Sequence, residues 1–316
     1  MLRAAALLAA WFGFIAAAVA VASRYVPVIN HAVLFVAALS PYLMIGAAVS
    51  AAILLLARSW WAAGVALVLV AVTVWVLLPR FTGAGQPPAE AVPIRVLTAN
   101  LKEGAADPEA LVDIARADAD VMVVQELTVE LAGKLKGLEA DFPYRVVDAR
   151  PSASGVGIWS RYPITQGSRD PGYELGVVTA ALDVPGASSA VTVLAVHLVG
   201  PLPQPIDGWR REIAALPRTL AAAARTAGAG AAIVAGDLNA TEDMQPFRNL
   251  LHDGFQSAAE QAGAGLVRTF PSDRSVPAVI GIDHILTLNS SARELRTVRI
   301  PGSDHLGLIA TILVPK

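Results

Sequence analysis

Cysteine is absent from the 316-residue sequence, and charged side chains are scarce. The lack of cysteine excludes disulfides, thiolate nucleophiles and cysteine-based zinc sites, although it does not identify a cellular compartment. Charged residues make up 16% of the chain and apolar residues 55%, whereas soluble domains are usually about 45–50% apolar. With a mean hydropathy of +0.55, the sequence is too apolar for an ordinary soluble protein of this size.

The shortage of charge is concentrated at the N-terminal end. The charged side chains of residues 1–90 are Arg3, Arg24, Arg58, Arg80 and Glu90. Three stretches lack charge altogether: residues 4–22, 32–57 and 59–79. Each is long enough for a helix that crosses a bilayer, which needs about 20 apolar residues. The sequence therefore predicts a multi-pass protein of the cell membrane, with three transmembrane helices in residues 1–80.

The first stretch has a second interpretation as a cleaved signal peptide, because Ala20, Val21 and Ala22 resemble a cleavage site. The spanning interpretation is favoured because two further spans follow and would anchor the chain in either case. Pro41, inside the second stretch, predicts a kink of the kind that transmembrane helices tolerate.

Three spans place the two ends of the membrane domain on opposite sides of the bilayer. Arg3 and Arg58 then lie on one side, and Arg24 and Arg80 lie on the other, so the bias of basic residues barely decides the orientation. The first span resembles a signal sequence with its positive end leading. We therefore expect the C-terminal domain on the extracytoplasmic face.

Residues 81–92 are rich in Gly, Pro and Ala and predict a linker to a domain of residues 93–316. Residues 91–316 hold all but four of the 24 basic residues and all but one of the 26 acidic residues, a formal balance of −5. An acidic domain is unsuited to long-range attraction of nucleic acid. A small phosphate-bearing substrate, or an acidic pocket neutralised by metal, remains possible.

The domain combines many strand patterns with few helix patterns. Alternating or continuous apolar runs predict strands at 94–101, 121–127, 144–149, 156–161, 177–184, 190–198, 231–237, 282–288, 293–300 and 307–314. Helices are predicted at 108–118, 128–138, 208–225 and 243–253. This order lacks the regular alternation of a doubly wound sheet, so it predicts an α+β sandwich with sheet packed on sheet and helices outside.

Polar side chains interrupt the apolar runs near their ends. They are Asn100, Glu126, His197, Asp237, Asn239, Asp283, Asp304 and His305. Each alone has a structural explanation as a turn residue, a cap or a hydrogen-bonded core histidine. Together they are costly to bury unless they share one site. Carboxylates are hard oxygen ligands of the kind that Mg²⁺ or Mn²⁺ takes, so the set is suited to metal-assisted hydrolysis of a phosphate ester.

The motifs TANL, QEL, VHL, GDLN, IDHIL and GSDH occur in this order along the chain. The sequence of residues 93–315 thereby resembles the endonuclease/exonuclease/phosphatase superfamily. The resemblance implies the deoxyribonuclease-I-like fold, a four-layer α/β/β/α sandwich, and a metal-dependent phosphoesterase. The GDxN motif and the final SDH motif are the most specific parts of the match.

The resemblance also implies roles for individual residues. Asn100, Glu126 and Asp304 match the metal-linked positions, and His197 matches the histidine that contacts the scissile phosphate. Asp237 and Asn239 match the pair that orients or deprotonates the attacking water, and Asp283 matches the acid that holds His305. Asp237 and His305 both remain candidates for the base. His284, next to Asp283, should face the other side of its strand as a structural residue, and Asp243 is interpreted as a turn or capping residue.

The sequence thus predicts a membrane-anchored phosphodiesterase that uses Mg²⁺ or Mn²⁺ and acts on nucleic acid or on a lipid or cell-envelope phosphodiester. The bilayer and a phosphate-ester substrate are the expected partners, and no protein partner is indicated. A catalytically silent receptor or scaffold that keeps the fold is the alternative. It is disfavoured because the set of motif residues is complete.

Overall fold

The computed structural model describes residues 2–83 and 85–316 and joins apolar N-terminal helices to a sandwich of two sheets. Residues 1 and 84, which fall within the predicted membrane domain and linker, lie outside the described residues. The helices before the first strand are α1 (Leu2–Ser23), α2 (His31–Ala38), α3 (Ser40–Leu43), α4 (Ile45–Leu56), α5 (Trp60–Leu77) and α6 (Pro79–Thr82).

Two of these helices, α1 and α5, are long and apolar enough to cross a membrane. The second predicted span is not a single helix, because α2 is bent by 63° from the segment Ser40–Leu56. Pro41 stands at the start of α3, where a proline cannot continue the hydrogen bonding of the preceding helix. The predicted kink is confirmed, and it is sharp enough to break the span into two parts.

Helices α1, α4 and α5 pack side by side through small residues. Gly13 and Gly46 face each other so closely that a Cβ on Gly46 would lie 2.5 Å from the Gly13 carbonyl oxygen. Buried alanines and Leu54 complete the contact. Small residues allow the close helix approach that stabilises packing within a bilayer. At one end of this bundle, the Arg3 guanidinium donates to the Ala57 carbonyl at 3.4 Å.

The rest of the chain forms two six-stranded sheets. The strands are β1 (Ala91–Asn100), β2 (Val121–Gln125), β3 (Tyr144–Asp148), β4 (Val156–Ser160), β5 (Ile164–Arg169), β6 (Gly176–Leu182), β7 (Val191–His197), β8 (Ala232–Asp237), β9 (Gln256–Ser257), β10 (Asp283–Leu288), β11 (Ser291–Arg299) and β12 (Leu306–Pro315). The strand order is β11-β12-β1-β2-β4-β3 in one sheet and β5-β6-β7-β8-β10-β9 in the other.

Five further helices lie among the strands in the described residues: α7 (Pro108–Asp118), α8 (Val129–Lys134), α9 (Ile206–Ala227), α10 (Gln245–Arg248) and α11 (Ala258–Ala262). One core lies between the sheets and includes Val96 and Ala195. Helix α7 packs on the outer face of the first sheet, and α9 inserts Trp209 against the outer face of the second. The predicted α+β sandwich of two sheets, with helices outside, is therefore confirmed.

The predicted strands are all present, but two further strands and the short helix α11 were not predicted, and one predicted helix is shorter than expected. Strand β5 was not predicted because it is an exposed edge strand with polar residues and no alternation, and the two-residue β9 is too short to show a pattern. The predicted helix 243–253 is reduced to α10 followed by a short 3₁₀ turn.

Asp243 lies in a turn, as the sequence suggested, and it is also a buried ion-pair partner, which the sequence did not indicate. Its carboxylate contacts Arg24 and accepts hydrogen bonds from Arg80 at 3.0 and 3.1 Å. Arg80 also lies 3.2 Å from Glu242. Because Arg24 and Arg80 follow α1 and α5, these contacts join the apolar helices to the sandwich. Sequence reasoning missed the contact because ion pairs between distant segments leave no local pattern.

Gly236 has a backbone conformation that a side chain would disturb. Its φ is +149°, and a Cβ there would lie 1.9 Å from the Val196 carbonyl oxygen on the paired strand β7. We predict that Gly236→Ala lowers the free energy of unfolding by about 2–4 kcal/mol. Urea unfolding of the full chain in detergent measures this. Gly133→Ala in the exposed α8, where a Cβ meets nothing within 4 Å, should leave stability unchanged or slightly raised. An equal midpoint for both variants would contradict the predicted strain.

Candidate active site

Strand ends from both sheets bring the predicted polar residues together. Strands β1 and β2 run parallel and end at Asn100 and Gln125, with Glu126 directly after. Strands β7 and β8 also run parallel, and their ends place His197 beside Asp237. Strand β10 is antiparallel to β8, so its first residue, Asp283, pairs with Asp237. Parallel neighbours that end together therefore bring these side chains to one edge of the sandwich.

A cavity of about 740 Å³ lies at this edge. Six of the predicted residues line it: Glu126, His197, Asp237, Asn239, Asp304 and His305. Asn100 and Asp283 lie behind this wall and contact lining residues. All the residues selected from the sequence therefore meet at one site.

The Asn100 amide joins the two sheets. Its Nδ2 donates to Glu126 Oε1 at 2.9 Å and to Asp237 Oδ2 at 3.1 Å. Its Oδ1 accepts from the backbone N–H of Lys102 at 2.9 Å. In this arrangement Asn100 positions two carboxylates, while its assignment as a metal ligand stays a prediction.

Glu126 is held at the cavity wall by backbone and side-chain donors. Its Oε2 accepts from the Glu103 N–H at 2.7 Å, and its own φ of +57° turns the chain directly after β2. Burial raises the pKa of Glu126, against the lowering effect of the hydrogen bonds from Asn100 and Glu103, and the charge of Asp304 raises it further. The Glu126 and Asp304 carboxylates thus lie near enough to repel each other.

His305 and Asp283 form a hydrogen-bonded pair, with His305 Nδ1 and Asp283 Oδ2 2.8 Å apart. Burial alone would lower the pKa of His305, but the charge and hydrogen bond of Asp283 outweigh it and raise the pKa to about 10. The ring is fixed further by Phe270, whose centroid lies 4.9 Å away. The other ring nitrogen, Nε2, lies 3.9 Å from Asp237 Oδ2. Asp283 therefore holds the His305 ring with Nε2 directed into the site.

Asp237 lies at the centre of the group. Burial, followed by the charge of Asp283, raises the pKa of Asp237 to about 8. The Asn239 N–H donates to Asp237 Oδ1 at 2.8 Å, and the Asn239 amide nitrogen donates to the Leu198 carbonyl at 2.9 Å. With its nitrogen occupied, Asn239 has its amide oxygen free for a donor in the cavity.

His197 is oriented by the backbone. Its Nδ1 lies 3.0 Å from the Ala153 carbonyl oxygen, so that nitrogen carries the proton. Its Nε2 lies 3.8 Å from Asp237 Oδ2. Burial, and then the nearby charge of His305, lower the pKa of His197 to about 4. Donation from Nε2 to a phosphoryl oxygen needs a second proton, which a bound anion would favour.

His284 faces away from this group, as its alternation with Asp283 predicted. Its Nε2 lies 2.7 Å from the Ala240 carbonyl oxygen, and its ring packs on Phe247 at 4.3 Å between centroids. Both contacts are on the α9 side of the sheet, where Phe247 belongs to the core.

Two groups of acidic residues are candidates for binding a cation. Ligand atoms of Asp237, Asp283 and His305 lie within 4.8 Å of one another, but Asp283 and His305 already bond each other. Glu126 and Asp304 instead line the cavity, and Asp304 carries no hydrogen bond from another described side chain. No Lys or Arg is among the described residues that line the cavity. The assignment of Glu126 and Asp304 as ligands of a hard divalent cation therefore stays a prediction.

The apolar wall of the cavity was not predicted. Leu34, Phe35, Ala38 and Leu39, on and just after α2, line the same cavity as the acids and histidines. In the sequence these residues are part of an apolar run and carry no signal of a site. Only the packing of α2 on the sandwich brings them there.

The chain matches the Endonuclease/Exonuclease/phosphatase family over residues 97–305. It belongs to this family. The expected family is thus confirmed, and with it an enzyme that hydrolyses phosphate ester bonds. A search of curated proteins finds no match to the chain.

Solved structures with a similar fold cover the sandwich. An endonuclease/exonuclease/phosphatase from Bacteroides vulgatus has 15% identity and a TM-score of 0.58 over 70% of this chain and 98% of its own. TDP2 from D. rerio, complexed with single-strand DNA product, has 17% identity and a TM-score of 0.57 over 70% and 98%. The 3' phosphatase NExo from Neisseria, bound to a product DNA hairpin, has 20% identity and a TM-score of 0.55 over 69% and 98%. At these identities the likeness concerns the fold alone.

His305 and His284 form a matched pair for testing the site, since both are buried histidines on opposite sides of the second sheet's edge. We predict that His305→Ala lowers kcat for bis(4-nitrophenyl) phosphate by about 10²–10⁴-fold, because its Nε2 points into the cavity. His284→Ala should lower the melting temperature but change kcat far less. Steady-state kinetics with a melting curve for each variant checks this. An equal loss of kcat in both folded variants would contradict the assignment of His305 to the cavity side and His284 to the opposite side.

Proposed function

We propose that this protein is a membrane-anchored phosphoesterase that depends on a divalent metal and hydrolyses a phosphodiester of nucleic acid or of a lipid. One observation carries the proposal. Carboxylates from both sheets meet at a cavity that has two oriented histidines and, in its described lining, no lysine or arginine. Such a site is strongly anionic, so it needs a cation before it can accept a phosphate.

Glu126 and Asp304 are the residues that would hold Mg²⁺ or Mn²⁺, with Asn100 fixing the Glu126 carboxylate. When bound, the ion would polarise a phosphoryl oxygen and stabilise the negative charge that develops there. Burial, more than any other cause, raises the pKa of Glu126, and a bound cation would offset this cost.

The other residues would orient water and substrate. Asp237 faces the cavity between His197 and His305, which suits it to accept the proton of the attacking water. His305, charged and held by Asp283, would stabilise developing charge through Nε2. Asn239 would position the water through its amide oxygen, and His197 would contact the phosphate.

Nucleic acid and lipid are both in keeping with this chemistry. TDP2 of D. rerio and NExo of Neisseria were solved with DNA products, which supports a phosphate-ester substrate for the present chain. The acidic balance of the domain is less suited to a long polyanion.

We further propose three spans in residues 1–80, a linker at 81–92 and the catalytic domain at 93–316. The broken segment α2 to α4 would supply the second crossing. Three contacts support this order. Arg3 meets Ala57 at one end of the helices, whereas Arg24 and Arg80 both meet Asp243 of the sandwich at the other. Three crossings would place Arg3 and Ala57 on one side of the bilayer and Arg24 and Arg80 on the other, in keeping with these contacts.

The catalytic domain is proposed to lie on the extracytoplasmic side, because the positive end of the first span would stay inside. We predict that alkaline phosphatase fused after Lys316 is active, and that a fluorescent protein which matures only in the cytoplasm stays dark there. A bright fluorescent fusion with an inactive phosphatase fusion would reverse the orientation.

The metal site gives a prediction that combines binding and activity. Adding millimolar Mg²⁺ or Mn²⁺ to the EDTA-treated full chain should raise its stability, by about 2.7 kcal/mol at roughly a hundred times the Kd, and should start hydrolysis of bis(4-nitrophenyl) phosphate. Glu126→Gln should lose both effects. Glu174→Gln, a carboxylate that lines the same cavity, should keep the stabilisation. An unchanged melting temperature together with no metal-dependent hydrolysis in the wild type would refute the proposed metal-dependent activity.

A further inference from the structure

The active-site cavity has two ends of different chemistry. The acids and histidines described above occupy one end. The other end is lined by apolar side chains from three separate segments: Leu34, Phe35 and Leu39 from the membrane part, Leu202 and Pro203 after β7, and Val279 and Ile280 before β10. A volume of about 740 Å³ is much larger than a phosphate group needs and is in the range of pockets that enclose whole organic ligands.

The apolar end lies where the chain passes from the sandwich to the membrane helices. Leu34 and Ala37 pack α2 onto the sandwich core, and beyond the 63° bend the chain enters the second apolar segment. His31 Nε2 lies 3.0 Å from the Pro201 carbonyl oxygen, and the Tyr42 hydroxyl donates to the Val279 carbonyl. Both loops of the apolar end are therefore tied to α2 and α3, at the base of the membrane segment.

The apolar end is also open. Phe35 is 51% exposed, Leu202 46% and Val279 37%. Exposed apolar side chains that are grouped at a cavity mouth usually mark a binding surface. Since α2 leads along the chain into the apolar helices α3 and α4, the ligand that fits this surface is one whose apolar part comes from the bilayer.

The charges of the cavity disfavour a polyanion. Its described lining includes the acids Glu103, Glu126, Glu174 and Asp304 but no lysine or arginine. A nucleic acid places further phosphates beside the scissile one, and these would face carboxylates with no lysine or arginine in the described lining to offset them. A lipid phosphate ester brings its charge to the metal end and apolar chains to the other.

We propose that the substrate is a lipid phosphate ester, which enters from the bilayer with its acyl chains against Phe35, Leu39 and Leu202. In the reaction, the oxygen of water bonds to phosphorus, the P–O bond to one alcohol breaks, and the departing oxygen takes up a proton. The substrate assignment rests on the proposed function of the same site.

The test uses the full chain in dodecyl maltoside micelles, which contain no phosphorus, with Mg²⁺. Phosphatidylglycerol and phosphatidic acid are compared with glycerophosphoglycerol and glycerol phosphate, the same esters without chains, and with a single-stranded oligonucleotide. We expect kcat/KM to be at least about a hundredfold higher for a lipid than for its chain-free counterpart, because burial of the chains adds binding. Bis(4-nitrophenyl) phosphate reports the proposed hydrolase activity independently.

Phe35→Ala and Leu202→Ala should each lower the ratio of lipid to chain-free kcat/KM, by roughly tenfold for Phe35→Ala. Both side chains are partly exposed, so their truncation leaves the core intact. Phe12→Ala is the matched control, because Phe12 is 77% exposed on α1 and does not line the cavity. It should leave the ratio unchanged.

A binding measurement tests the recognition of the lipid independently of its hydrolysis. With Mg²⁺ present and turnover blocked by Asp237→Asn, phosphatidic acid with a diazirine in one acyl chain should cross-link to the peptide that contains Leu202. Excess phosphatidic acid should suppress the cross-link, and diacylglycerol, which lacks the phosphate, should not.

The outcomes distinguish the two proposals. Metal-dependent hydrolysis of bis(4-nitrophenyl) phosphate with equal use of lipid and chain-free esters, or with a preference for the oligonucleotide, would overturn the lipid assignment and leave the hydrolase. Absence of all hydrolysis would remove the proposed function, and the cross-link would then decide: a phosphate-dependent cross-link supports a lipid site, and none rejects it.

Discussion

The site depends on the pair of hydrogen bonds from the Asn100 amide to Glu126 on its own sheet and to Asp237 on the other. Two carboxylates that are buried on facing sheets repel each other, and an isolated one is costly to desolvate. One amide that donates to both offsets part of this cost and fixes their separation. The same residue is anchored by its neighbours, since Ser303 Oγ donates to the Asn100 carbonyl at 2.7 Å. The cavity edge is thus a constrained junction of the two sheets.

A second constraint orients this junction relative to the apolar N-terminal helices. Asp243 receives Arg24 and Arg80 in a setting where both guanidiniums are almost fully buried. Removal of one partner from such a buried group leaves an uncompensated charge, which is strongly destabilising. The contact therefore favours a single placement of α2, and this placement gives the cavity its apolar wall. In this account the ion pairs that attach the sandwich to the N-terminal helices also help to position the apolar wall of the cavity.

The sequence predicts most of the fold because apolar alternation and turn signals are local. The chemistry could also be inferred. Asp237 and Asn239 lie at the end of a buried strand, where polar side chains are costly to desolvate unless they form part of a shared site. Contacts between distant segments could not be inferred. Asp243 looked like a cap because nothing near it in the sequence shows that Arg24 and Arg80 reach it. Phe35 looked like one more apolar residue in a span, and the exposed, polar strand β5 gave no pattern at all.

The central claim is that the cation binds at Glu126 and not at the group formed by Asp237, Asp283 and His305. Anomalous diffraction from crystals of the full chain with Mn²⁺ tests it most directly, because the signal locates the ion itself. The account predicts a peak at the Glu126 carboxylate on the side of the cavity that Asp304 lines. A peak among Asp237, Asp283 and His305, or no peak at saturating Mn²⁺, would contradict it.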